Sequence, residues 1–519
     1  MSSAEAAARP APIPGRLSNA AVTGVSAAQV VLAVILAGTL VRLLLAAATG
    51  LGTDESYTVA NARVFDLSYV DYPPLHAWLV GGWAKLCHSE APFIVRLPFI
   101  ALFAGSTWMM FRLAALLHGA RAGMWAVILF NLAPVFTLAH ASWVLPDGPL
   151  LFFLLCGALA LAKLFFASDA PGSLRGWVAA GTCTGLAMLS KYHGAWLAAA
   201  AFIFLLTWPP GRRLLARPGP WLAAGLAALL FAPVIAWNAE HDWAGFFFQA
   251  QRLTESRNLS LARAGAGVLG QAAYLSPWLF VPLAALWIGA LRRNTRDPRA
   301  WFLALLAAGP IVGFTAADLF AKGLPHWPMP GWLFVFPLLG ARVAAFAGRK
   351  PKHAAFAAAG LGALMTIAAL AIATGARTGW IARVSSPAAD PTVDLMDWNG
   401  VEHALEDRGL LSAAPAVAST HWMDAGKLNY AIGRDIPVLC LCADPQQFRY
   451  SSDPAKFAGR DILIIGRHRD ARHPDALLAG QFSGFRTLAP IILTRNGSPT
   501  IEFAVVLGLN FHPDARLPH

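Results

Sequence analysis

Residues 28–57 read AQVVLAVILAGTLVRLLLAAATGLGTDESY, and this stretch decides what kind of molecule the chain makes. Residues 28–50 carry a single charge, Arg42, and as a helix they are long enough to cross the roughly 30 Å hydrocarbon core of a bilayer. The acidic pair Asp54 and Glu55 follows almost at once. Ten more apolar runs come after it, at approximately 92–117, 122–140, 146–167, 176–189, 194–208, 218–237, 266–291, 300–318, 328–347 and 354–374. The expected fold class is therefore a polytopic α-helical membrane protein of about 11 transmembrane helices, although several runs fall short of the about 20 residues a square crossing needs. Composition agrees. Of 519 residues, 57% are hydrophobic and 13% are charged, against about 25% charged in an ordinary soluble domain, so a single soluble globule is excluded.

The net charge of +12, from 40 Lys+Arg and 28 Asp+Glu, invites a nucleic-acid reading until the charges are sorted by side. With the N-terminal tail 1–27 (Arg9, Arg16) in the cytoplasm, the cytoplasmic links 118–121, 168–175, 209–217, 292–299 and 348–353 hold 12 Lys/Arg in 35 residues. The opposite links, 51–91, 141–145, 190–193, 238–265 and 319–327, hold seven in 87. That bias predicts a cytoplasmic N-terminus, and an odd number of spans puts the C-terminal segment outside. The basic excess is then a topology signal, and no nucleic-acid partner is expected.

Acids show the opposite bias. Of the thirteen carboxylates before Gly375, ten lie on or beside the outer face: Asp54, Glu55, Asp66, Asp71, Glu90, Asp147, Glu240, Asp242, Glu255 and Asp318. Outer loops use acids for solubility, which accounts for any one of them. Several, however, abut apolar helix ends, and ionisable groups at membrane depth are functional candidates by default. Arg42 and Arg96, inside or at the edge of apolar runs, should pair with a carboxylate or phosphate or else snorkel to the interface.

The first outer link, 51–91, is the most informative. Asp54-Glu55-Ser56-Tyr57 is followed by Asp71-Tyr72-Pro73-Pro74-Leu75 and then Val95-Arg96-Leu97. Further along come Pro146-Asp147-Gly148-Pro149, Ser190-Lys191-Tyr192-His193-Gly194, Trp237-Asn238-Ala239-Glu240-His241-Asp242-Trp243 and Lys322-Gly323-Leu324-Pro325-His326-Trp327. This ordered set resembles the polyprenyl-phosphate-sugar-dependent glycosyltransferases of the C superfamily (GT-C). Within it the set is most similar to bacterial relatives of the protein O-mannosyltransferases and the aminoarabinose lipid A transferase, a glycosyltransferase family 39-like group. The resemblance runs from residue 28 to about 350.

The resemblance implies transfer of a sugar from a polyprenyl-phosphate donor to an acceptor hydroxyl, with inversion. A carboxylate takes the acceptor proton, and cations hold the leaving phosphate. It assigns the general base to Asp54 and an orienting or assisting role to Glu55. Read from the residues alone, Asp54 serves equally as the N-cap of a helix opening at Glu55. For the donor phosphate the first choice is Lys191, the only Lys/Arg of its link, beside His193. Lys322, His326, His241 and Arg252 come next, each also readable as an interfacial snorkelling or belt residue. Tyr57, Asp71, Asp147 and Tyr192 are expected to support the cavity, with a helix-start role as the alternative for Asp147. Two cations of the lipid A transferase pattern are missing: Asp54-Glu55-Ser56-Tyr57 lacks an Arg, and Tyr72 stands where a Lys precedes the Pro-Pro pair. The donor sugar therefore cannot be copied from that relative. Residues 238–265, with Phe246-Phe247-Phe248, Gln249 and Arg252, read as an amphipathic segment placed to cover the site, and Trp143, Trp237, Trp243 and Trp327 as an interfacial belt.

Beyond Gly375 the pattern changes. Helical stretches at 397–410 and 423–432 alternate with β-rich runs at 415–419, 436–442, 461–466, 487–494 and 501–509, which predicts a small α/β domain over 375–519 on the periplasmic side. It serves acceptor recognition, covers the membrane site, or simply caps the fold. Cys440 and Cys442 either pair or stay buried, and the five scattered cysteines form no disulfide framework. No metal spacing is present in this domain; no cofactor is certain, and a divalent metal is possible but not indicated. The expected function is a membrane glycosyltransferase of a bacterial inner membrane acting on an envelope lipid, a glycan or a protein. The competing class, a transporter or flippase of a lipid-linked substrate, is disfavoured because the spans show no internal repeat and the charges collect at one face.

Overall fold

The computed structural model describes residues 26–167, 173–254, 258–384, 390–467, 469–478 and 480–513. Arg9, Arg16 and Glu255, used above, lie outside the described residues. The apolar runs become helices whose ends are written in proline and glycine. Helices Pro92–His118, Pro209–Leu215, Pro218–Glu240, Pro277–Arg293, Pro298–Ala317 and Pro351–Thr378 each start on a proline, where the missing N–H costs no bond and φ is already helical. Gly119, at φ +92°, separates Pro92–His118 from Ala120–Asn131, a conformation natural only to a residue without Cβ.

Among the described residues, seven helices are long and apolar enough to cross a membrane, and two bent pairs bring the number to nine. The chain is thus a multi-pass membrane protein with fewer full-length spans than the eleven expected. The expected run 266–291 is two helices, Leu261–Leu275 and Pro277–Arg293, bent by 113° at Ser276, because Pro277 cannot donate to the preceding turn and disfavours helix at the residue before it. The run 194–208 likewise turns by 114° into Pro209–Leu215, where Pro209-Pro210 interrupts the helical bonding. The run 122–140 is helical only to Asn131 and continues as a five-residue π-turn, Val135–Ala139. Helices approach closely where side chains are small: a Cβ on Gly181 would stand 2.5 Å from the Ala223 carbonyl, and one on Gly340 2.4 Å from that of Ala122. Such contacts substitute for the hydrophobic drive that lipid does not supply.

The C-terminal part is built on a six-stranded sheet: β1 (Val417–Ser419), β2 (Val438–Cys440), β3 (Ile462–Gly466), β4 (Phe482–Thr487), β5 (Ile491–Arg495) and β6 (Ser498–Phe511). The order is β2-β1-β3-β6-β4, with β1 parallel to both β2 and β3, and β6 antiparallel to β3, β4 and β5. Strand β3 is buried along its length, as a strand covered on both faces must be. The expected run 487–494 divides at Leu488–Pro490 into the end of β4 and the whole of β5. Asn496 and Gly497, both at positive φ, then turn β5 back onto β6. Cys440 and Cys442 remain free and buried.

This domain grips the first outer link. The link's helix Thr53–Asn61 packs on helix Trp422–Ile432, and Tyr57 enters the domain core with its ring 5.4 Å from Trp422 and 5.9 Å from Phe448. Gly426 makes room for it, since a Cβ there would lie 2.9 Å from that of Tyr57. Lys427, buried beside Gly426, donates to the carbonyls of Leu51 (2.6 Å), Asp394 (2.8 Å) and Met396 (2.8 Å). Glu90 pairs with Arg63 (2.8 Å) and Arg434 (2.6 Å), and Arg63 also donates to the carbonyls of Asn429 and Tyr430. Replacing Lys427 by Met leaves three carbonyls short of a donor and is expected to cost roughly 2–4 kcal/mol. Thermal unfolding of the purified full chain measures this, and an unchanged midpoint would show that the lysine does not clamp the link.

Candidate functional site

The helix Thr53–Asn61 presents two neighbouring carboxylates with opposite fates. Glu55 is fully buried and bidentate on Arg96, with Oε1 2.8 Å from Nε and Oε2 2.5 Å from Nη2. It also accepts from the backbone N–H groups of Val144 (3.0 Å) and Gly52 (2.9 Å). Burial pushes the Glu55 carboxyl up, but Arg96 and these N–H groups more than offset it and hold the pKa below its ordinary value. Asp54 is the second residue of the helix and is accessible. The helix-capping bond is therefore made by Glu55 to Gly52, and not by Asp54 as the local sequence allows.

Asp54 lines a cavity of about 280 Å³ with Trp143, Leu145 and the segment Pro391–Leu395, which carries Asp394. Desolvation raises the pKa of Asp54, helped by Glu55 and Asp394 and opposed by Arg252 and Lys191.

Beneath it lies a buried ion pair. The Lys191 ammonium is 3.0 and 3.1 Å from the two Asp147 oxygens, His140 is 3.8 Å from the same carboxylate, and the Tyr72 ring stands 5.6 Å from the ammonium. Asp147 opens the helix Asp147–Phe166, as its helix-start reading has it. His193 stacks on Phe314 at 4.4 Å, and its Nε2 has no hydrogen-bond partner among the described residues. His326 belongs to the same cluster. Burial, reinforced by Lys191, pulls its pKa down to about 3, so it is neutral at ordinary pH and meets an anion only through its N–H.

Arg252 and Lys322 line a separate, larger cavity of about 650 Å³. Arg252 lies over the rings of Phe248 and Trp327 at 5.4 and 5.5 Å. The amphipathic helix Ala244–Leu253 forms one wall, held to the first outer link by Gln249 donating to the Asp71 carbonyl. Asp71 is buried, which pushes its pKa up to about 6, and the Tyr57 hydroxyl donates to it. Tyr192 packs on Phe246 behind this wall. His241 is taken up elsewhere, stacked 4.1 Å from Trp237 and held by that residue's carbonyl. Trp237 itself is fully buried and donates to Asp66, so it is no belt residue. Arg42 finds neutral partners rather than a carboxylate: the oxygens of Asn131 and Thr137, both at 3.0 Å, and the Phe103 face at 4.4 Å.

Comparison with known proteins gives this geometry a context. Residues 71–237 match the dolichyl-phosphate-mannose-protein mannosyltransferase family. The structure superposes on ArnT from Cupriavidus metallidurans bound to undecaprenyl phosphate with a TM-score of 0.64 at 16% identity, covering 94% of this chain and 99% of that one. The two chains share one fold. The apo form of the same ArnT gives a TM-score of 0.61 at 14% identity, covering 93% and 98% of the two chains. In sequence, the chain is 24% identical over 299 residues to the lipid A galacturonosyltransferase RgtD of Rhizobium johnstonii, a match spanning 55% of this chain and 59% of that relative.

Three of the site's constituents are not legible in the sequence. His140 sits on no motif. Residues 391–395 and 443–450 belong to the C-terminal domain, and only folding brings them to the cavity walls. Nothing local in their sequence marks them.

Glu55→Gln leaves the Arg96 guanidinium buried without a counter-charge and is expected to cost about 3–5 kcal/mol, whereas Asp54→Asn, at an accessible position, should change stability by less than about 0.5 kcal/mol. Parallel thermal unfolding of the two variants checks this, and equal losses would contradict the division of labour. For Asp147→Asn and Lys191→Met, each single change should destabilise more than its share of the double, with a coupling of about 1–3 kcal/mol in a double-mutant cycle.

Proposed function

We propose that the chain is a membrane glycosyltransferase that moves a sugar from a polyprenyl-phosphate donor to an acceptor, with Asp54 as general base. The observation that carries this reading is the division between adjacent carboxylates: Glu55 is consumed by Arg96, and Asp54 is left accessible on a cavity wall. The donor's anomeric C–O bond breaks as the acceptor oxygen attacks from the opposite face. Asp54 takes the acceptor proton, and the leaving lipid phosphate gains a second negative charge, which Arg252 stabilises from the neighbouring cavity. Lys191 lies beneath with its charge balanced by Asp147, so its part is to set the local field and to contact the phosphate when the pair reorganises. Glu55 assists by fixing the helix that carries Asp54.

The chain is placed in a bacterial inner membrane, with the N-terminus cytoplasmic and residues 375–519 periplasmic, in agreement with the charge bias of the links. Among acceptors, lipid A or its core is favoured over another envelope lipid, a glycan or a protein, because the RgtD relative is named for lipid A. A flippase or transporter is the second reading. It leaves an accessible carboxylate with a raised pKa and no bond to break.

Asp54→Asn is expected to lower the transfer rate by 10²–10⁴-fold, on the order of a lost general base, with donor binding retained. Transfer of radiolabelled sugar by the full-length protein measures it, and full activity would remove the base assignment. Because the base works deprotonated and its pKa is raised, activity should fall as pH drops through a limb lying above the ordinary aspartate range. A limb at or below that range would contradict it.

A further inference from the structure

The larger cavity holds more positive charge than a lipid phosphodiester needs. Such a donor carries one negative charge, and Arg252, from the helix Ala244–Leu253, already faces the cavity without a carboxylate partner among the described residues. Residues 443–446, 449 and 450 of the C-terminal domain supply another part of the lining. There Arg449 is exposed on the cavity, and its guanidinium makes no hydrogen bond or ion pair with a described residue. Lys322 reaches the same space from the loop after helix Pro298–Ala317. Against these three cations the lining offers one acid, Asp444, which accepts a hydrogen bond from Gln446 at 3.1 Å. A neutral sugar gives a guanidinium only hydroxyls, whereas a carboxylate or a phosphate pairs with it through two charge-assisted bonds.

We propose that Arg449, with Lys322, forms a second anion subsite that reads an anionic group on the substrate besides the donor phosphate. That group is either a carboxylate on the donor sugar or a phosphate on the acceptor. The proposal rests on the transferase reading and deepens it by naming a substrate class. Arg449 is a binding residue here, brought to the membrane site by the domain that Tyr57 and Lys427 clamp in place.

The test uses the full chain in lipid nanodiscs, with binding read by tryptophan quenching. The ligands are undecaprenyl phosphate, an undecaprenyl-phosphate-linked hexuronate, its neutral hexose counterpart, and phosphorylated and dephosphorylated lipid A. Arg449→Gln should weaken either the uronate donor or the phosphorylated acceptor about tenfold, as loss of one charge-assisted contact does. It should leave undecaprenyl phosphate and the neutral ligands unchanged, and Arg449→Lys should restore most of the loss. The arm that responds names the source of the anion. No change in either arm, or an equal loss for every ligand, overturns the subsite. A wild-type protein that binds none of the polyprenyl phosphates overturns the transferase reading and the subsite with it.

Discussion

The buried pair of Glu55 and Arg96 is the contact on which the face carrying Asp54 depends. Arg96 sits near the start of the helix Pro92–His118 and spends its remaining donors on the carbonyls of Thr49 and Gly50 and the Thr49 hydroxyl, just past the end of Ala27–Ala48. Those carbonyls have no helical partner of their own. Glu55 completes the knot by accepting from Val144, three residues before the helix that carries Asp147. One guanidinium and one carboxylate thus fix three segments far apart in sequence. In a low-dielectric interior, charges of this kind are tolerated only when every hydrogen bond is made, and these bonds are.

The position of Asp54 follows from that knot. With Glu55 turned inward, the neighbouring side chain on the same helix turn is left toward the cavity. The C-terminal domain then closes the cavity, and it does so by shared hydrogen bonds rather than by surface contact alone. Tyr57 is part of the domain's own core, Gln447 accepts from the Val70 N–H, and the Gln447 N–H donates to the Tyr57 hydroxyl. Of the three roles open to this domain in the sequence, a detached stabilising cap fits least, because its residues 391–395 and 443–450 form walls of both cavities.

Much of this was legible in the residues. The apolar runs located the membrane helices, and Asp54, Lys191 and Asp147 lay on motifs whose order pointed to the right fold. Proline misled where it was ignored: Pro277 breaks a run, 266–291, that hydropathy alone reads as continuous. The β4–β5 division was missed for a similar reason, since Leu488-Ala489-Pro490 looks apolar while its proline cannot pair in a ladder. Hydropathy windows average over such single-residue constraints.

By itself the sequence determined that the chain crosses a membrane repeatedly and which short motifs gather its acids and cations between the apolar runs. These depend on local composition and on spacing along the chain. Only the tertiary structure decided which carboxylate of the Asp54–Glu55 pair is free, that Lys191 is paired with Asp147, and that Arg449 lines the same cavity as Arg252. The reason is physical: a side chain's role is set by the partners within a few ångströms of it. Here those partners come from residues 41 and 44 positions away, and one cavity is lined by residues nearly 200 apart.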